Sequence, residues 1–158
     1  MLTEGFINAS GNTFRISYEA LAMCMLLTTN AKVQVGRGKK VKLIDFDEAY
    51  FSGDKSTYPY QAIDIVVNNV EAIGLEQGSN WLKQAKDFYN GYSHASHMVF
   101  SSLVLKNGCS IIGGGYNSEK DDIYKNHLQF VKRFSDQLPN LINILAMRDL
   151  TKALKTAT

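Results

Sequence analysis

Lys32-Val33-Gln34-Val35-Gly36-Arg37-Gly38-Lys39-Lys40-Val41-Lys42-Leu43-Ile44 reads as a β-hairpin with a cationic tip. Val33 and Val35 lead into a Gly36-Arg37-Gly38 corner, and Val41 and Leu43 follow it. This period-2 spacing lets one face be buried while Gln34, Lys40 and Lys42 point outward. The two glycines supply the positive φ of a tight reversal. Five of the eleven residues from Lys32 to Lys42 are basic and none is acidic, although the whole chain carries 17 basic and 15 acidic residues. The concentration of charge is therefore local. Like charges facing each other across two strands repel, so an anionic partner is a physical motive for gathering them, and phosphate backbones are the commonest such partner. A competing motive is protection of an edge ribbon against aggregation.

Around this stretch, 158 residues with 45% apolar and 20% charged content imply a globular chain that makes one domain over 1–158, with room for a flexible tail at 151–158. No apolar run reaches 18 residues. Ala20–Leu27 is too short to cross a bilayer and has neither a basic lead-in nor a small-residue cleavage site, so the expectation is a cytoplasmic protein with no membrane partner. Cys24 lies in an apolar run far from Cys109, which suggests two buried, reduced thiols. A net charge of +2 excludes bulk wrapping of a polyanion and confines any nucleic-acid contact to a patch.

In chain order, residues 4–17 read as a first hairpin turning at Ser10-Gly11-Asn12. Ser17 can cap a helix over Ala20–Leu27, for which a buried strand is the alternative. Residues 45–59 read as a long acidic loop with a short strand at Ala49-Tyr50-Phe51. Ile63, Val66, Val67, Val70 and Ile73 mark a helix after Pro59 that Gly74 ends, and Trp81, Leu82, Ala85, Phe88 and Tyr89 mark another, capped by Ser79. Met98–Leu105 and Cys109–Ile112 form a hairpin across Asn107-Gly108. The remainder is an amphipathic C-terminal helix with a break near Pro139. The fold class that results is α+β, an antiparallel sheet of two or three hairpins packed by three or four helices.

Leu43-Ile44-Asp45-Phe46-Asp47-Glu48 is an apolar strand ending in paired carboxylates, a disposition that can hold Mg²⁺. It resembles the first motif of haloacid-dehalogenase-type phosphatases, a strand ending in Asp-x-Asp, and the metal-binding Asp-Phe of protein kinases. Either resemblance implies Mg²⁺-dependent phosphoryl transfer by Asp45 and Asp47. Each spans only a few residues. Ala49 stands where the phosphatase motif has Thr or Val, and no glycine-rich loop, strand lysine or His-Arg-Asp loop accompanies the kinase pair. The alternative is a turn built on Asx-type caps.

The aromatic residues favour a different function. Tyr50, Phe51, Tyr58 and Tyr60 follow the basic hairpin closely. Basic strands with adjacent rings are what single-strand platforms use, cations following phosphates while bases stack. The expected function is thus a non-enzymatic module for single-stranded DNA or RNA. Its contacts are Lys32, Arg37, Lys39, Lys40 and Lys42, with Tyr50, Phe51 and Tyr58 as stacking groups, and it needs no cofactor and no metal. The alternative is an assembly protein forming homo-oligomers by head-to-tail contact of the basic hairpin with the acidic loop of a second copy.

Overall fold

Ile7, Gly11, Phe14, Tyr18, Ala22 and Met25 recur in steps of three and four, the spacing of one helix face. In the computed structural model the chain follows that spacing, and α1 runs Ile7–Leu27. The structure describes residues 1–36, 38–75, 79–92, 97–106, 108 and 115–156, without the side chains of Lys39, Ser79, His97, Met98, Ser101, Lys155 and Thr156. The hairpin expected over 4–17 is therefore corrected to helix. Its polar residues turn back on their own backbone, Thr13 Oγ1 donating to the Ala9 carbonyl at 2.9 Å and Ser17 Oγ to the Thr13 carbonyl at 3.0 Å. Gly11 serves a close approach instead of a turn, since a Cβ there would fall 2.7 Å from Tyr92 Cγ. Cys24, expected to be buried, is exposed on this helix.

The chain divides into two compact units, one of Met1–Ser17 with Ala85–Gln137, the other of Tyr18–Gln84 with Leu138–Thr158. In the second unit β1 (Val33–Val35) pairs antiparallel with β2 (Lys42–Ile44), with Val33 opposite Ile44, Gln34 opposite Leu43 and Val35 opposite Lys42. A 3₁₀ turn at Gly38–Lys40 lies between them. The six residues of the connection set the phase of the second strand. Val33 and Val35 are buried as expected, but Leu43 shares the face of Gln34, so it and Val41 are exposed. A one-residue difference in register moves a whole side-chain set across the ribbon.

The acidic stretch is helical: α2 spans Phe46–Phe51, with Asp45 at its N-cap, Asp47 and Glu48 in its first turn and Phe46 buried. This corrects the expected loop and the strand at 49–51. Carboxylates in the first turn complement the positive end of the helix dipole, and although Asp45 makes no side-chain cap bond, Asp47 Oδ1 accepts from the Glu48 N–H at 2.9 Å. The next helical stretch is split into α3 (Ala62–Asn68) and α4 (Val70–Ile73) by Asn69. The Asn69 side chain accepts from Gln34 N–H at 2.7 Å and donates to Gln34 C=O at 2.9 Å and Ile65 C=O at 2.8 Å. It pairs with the outer edge of β1 as a neighbouring strand would.

α5 (Ser79–Asn90) ends in the first unit, where α6 (His97–Leu103) and the start of α7 (Asp121–Thr156) also lie. α6 corrects the strand expected from Met98. Ser102, on its buried face, is 2.7 Å from the Val99 carbonyl one turn back and 2.8 Å from Asn8 Oδ1. The returning strand at 109–112 lies outside the described residues. α7 runs through Pro139 without the expected break, although proline there removes one donor from the helix ladder. Its second half is tied down by cations. Arg148 Nη2 donates to the Ile73 carbonyl at the end of α4, and Lys152 Nζ to the Leu27 carbonyl at the end of α1. Cations at helix C-termini complement the dipole. Among the described residues the result is a mostly helical α+β chain with one two-stranded antiparallel sheet, and no helix is long and apolar enough to cross a membrane.

The first unit is centred on His127, fully buried among rings. Phe88, Tyr89 and Tyr92 lie 5.1, 5.5 and 4.8 Å from it, centroid to centroid, and Phe130 stacks on Phe88 at 4.7 Å. Neither ring nitrogen has a hydrogen-bond partner among the described residues. Burial pushes the imidazole down to about 4 and the Tyr92 phenol up to about 12. A histidine depressed in the folded state binds its proton more readily unfolded, so its contribution to stability is complete above its ordinary value of about 6.5 and is lost as pH falls toward 4. Urea unfolding between pH 7 and pH 5 should therefore show a loss of about 2 kcal/mol. His127→Phe should flatten that dependence, and an unchanged slope in the variant would count against the assignment.

Candidate nucleic-acid interface

The residues expected to bind nucleic acid all belong to the second unit, and the structure treats them unequally. Lys32, just before β1, and Lys40, at the end of the 3₁₀ turn, are exposed. Arg37 lies outside the described residues, as does the Lys39 side chain. Lys42 is half-exposed, and its Nζ lies 2.5 Å from Asp54 Oδ2. The acidic segment thus neutralises one cation of the ribbon, and these two opposite charges meet within one chain. Asp54 is fixed further by accepting from Ser56 N–H at 2.9 Å. The Lys42 hydrogen bond first, then those from Ser56, hold its carboxyl down to about 2.

The rings are better placed than the cations. Phe51 is 82% exposed, Tyr58 43% and Tyr50 37%, at the end of α2 and in the loop after it. Tyr50 and Phe51 meet edge to face at 5.4 Å. Tyr60, which the sequence reading did not select, is 57% exposed, lies 6.1 Å from Tyr58, and its hydroxyl is 3.0 Å from Gln61 Nε2. Val41 and Leu43 add exposed apolar surface on the ribbon itself. The signal for Tyr60 was present in the sequence: three aromatic or cyclic residues in a row, Tyr58-Pro59-Tyr60, between two acidic turns and a helix. The ribbon is set by Asn69, and the loop after α2 is set by the Lys42–Asp54 pair.

Asp45 and Asp47 are brought close enough to share a hydrogen bond. That bond, then burial, then the charges of Asp47 and Glu48 raise the Asp45 carboxyl. For Asp47 burial pushes upward, but hydrogen bonds from Lys152, from Asp45 and from the Glu48 N–H prevail and hold it below the usual range. Lys152 Nζ forms a partly buried ion pair with Asp47 Oδ2. Asp47 is thus engaged by an internal cation, and no group of three His, Cys, Asp or Glu side chains able to hold a metal forms among the described residues. In the first unit a separate cavity of about 240 Å³ is lined by Phe6, Ile7, Ser102, Leu103, Lys120 and Tyr124. Lys120 there is buried and donates to the Val104 carbonyl.

No protein-family model, curated protein or solved structure matches this chain.

Lys152 joins three parts of the second unit, the ends of α1 and α7 and the start of α2. Lys152→Met should lower stability by about 1–3 kcal/mol by leaving a half-buried carboxylate without its cation. It should also raise the titration midpoint of Asp47, followed by the side-chain carboxyl resonance. An unmoved Asp47 midpoint would show that the pair does not form in solution.

Proposed function

We propose that this chain is a non-enzymatic binding module for single-stranded DNA or RNA. The observation that carries the reading is the exposure of Tyr50, Phe51, Tyr58 and Tyr60 in the segment that follows the exposed cations Lys32 and Lys40. Large rings are ordinarily withdrawn from water. Four left in solvent beside a basic ribbon suit stacking of bases, which have two apolar faces, with phosphates following the cations. Arg37, Lys39 and Lys42 complete the proposed cationic track, Lys42 sharing its charge with Asp54.

The balance of forces in this proposal differs from the sequence expectation. With Lys42 paired, fewer cations are available to replace counterions, so the salt dependence should be shallow and stacking should dominate. Titration of a fluorescent oligonucleotide should give a dissociation constant in the range ~10⁻⁴–10⁻⁶ M at low salt, with a log–log salt slope of about −2 for roughly three phosphates. Phe51→Ala should weaken binding by about 1–3 kcal/mol at either salt, while Lys40→Glu should reduce both affinity and slope. No binding at low salt, or full binding by Phe51→Ala, would end the proposal.

A further inference from the structure

From Leu138 onward α7 carries apolar side chains on its outward side as well as on its inward side, where Leu141 is buried. Its charged Arg148 and Lys152 turn toward the second unit and satisfy the Ile73 and Leu27 carbonyls and the Asp47 carboxylate. The outward side carries Ile142 at 53%, Met147 at 65%, Leu150 at 60% and Leu154 at 71% exposure, with Ala146 and Ala153 also exposed. At 100° per residue these side chains and Asn143 fall in one arc of about 140°, and no charged residue lies within it. A helix face of this kind in water costs the full hydration of its apolar surface, which a covering partner would recover.

The shape of the face selects the partner. Asn143, Met147, Leu150 and Leu154 are spaced four, three and four apart, the repeat with which one helix packs along another. An open groove of about 420 Å³, walled on one side by Asn143 and Met147 of this ridge, runs past Asn30, Ile144, Arg148 and Thr151. Ridge and groove on one surface are what a two-fold contact requires, because each copy offers the other both halves. These exposed apolar residues present roughly 500 Å² per copy, so a pair that covers all of them comes to the ~1,000 Å² at the lower bound of specific interfaces. Asn143, the single amide on the ridge, can hydrogen-bond its own counterpart and so fix the register.

We infer that α7 pairs with α7 of a second copy of this chain, the Met147–Leu150–Leu154 ridge of each lying along the groove of the other. The pairing is separate from the ring and lysine surface proposed for nucleic acid, and either can stand without the other. Sedimentation equilibrium from low micromolar to hundred-micromolar chain tests it. The mass should climb from 17.6 kDa toward twice that value. Leu150→Lys combined with Leu154→Lys should hold the chain at the monomer mass with unchanged helical circular dichroism, while Ile16→Lys, on exposed α1 surface, should dimerise as the native chain does. Should the paired lysines reduce helicity, Met147→Gln carries the same test and should weaken association about tenfold. A native chain that stays monomeric throughout overturns the inference, as does a dimer unaffected by these ridge substitutions.

Discussion

The second unit depends on one side-chain amide. An isolated two-stranded ribbon is marginal in water, and the ribbon here has only three residues in each strand. Asn69 gives β1 the equivalent of a third strand, meeting both backbone groups of Gln34 while its own NH₂ also serves the Ile65 carbonyl. The same residue interrupts the helix between α3 and α4, so the break in the helix and the seating of the sheet share one cause. Each of these bonds contributes about 0.5–1.5 kcal/mol net, but leaving the amide or the strand edge unmatched in its buried setting costs more. Once β1 is seated, Val33 and Val35 enter the core, and Lys42 is brought to Asp54.

Three cations of this unit hold its structure together. Arg148 and Lys152 cap helix ends, and Lys152 and Lys42 neutralise Asp47 and Asp54. The surface of the unit also carries exposed apolar groups, the rings of residues 50–60 and the outer side of α7. Both proposals start from those side chains. A chain that turns its cations inward to hold helix ends has fewer left to cover its apolar side chains, and surfaces so left are suited to partners that stack or pack.

Much of this was legible in the residues. The ribbon at 33–44, the helices ending at Leu27, Gly74 and Asn90, and the C-terminal helix all carry clear periodicity or end signals. Ser10-Gly11-Asn12 misled because glycine between two small polar residues has the composition of a turn, while its actual reason, room for Tyr92, is a contact across eighty residues. Asp45–Phe51 misled because acidic residues favour both loops and helix N-termini. The phase of β2 could not be read from the sequence pattern, and that phase put Ile44 opposite the buried Val33 and Leu43 opposite the exposed Gln34. Of the candidate site, the exposed rings were anticipated, whereas the pairing of Lys42 with Asp54 and of Asp47 with Lys152 required tertiary structure.

Amide hydrogen exchange at Gln34 addresses the central role of Asn69 most directly. The Gln34 N–H points away from β2, and among the described residues no strand lies beyond it, so its protection comes from the Asn69 side-chain oxygen. In the native chain it should exchange as slowly as the amides inside the ribbon. In Asn69→Ala it should exchange roughly 5- to 150-fold faster, the equivalent of about 1–3 kcal/mol. Exchange at the rate of a free edge amide in the native chain, or protection that survives the substitution, would contradict the account.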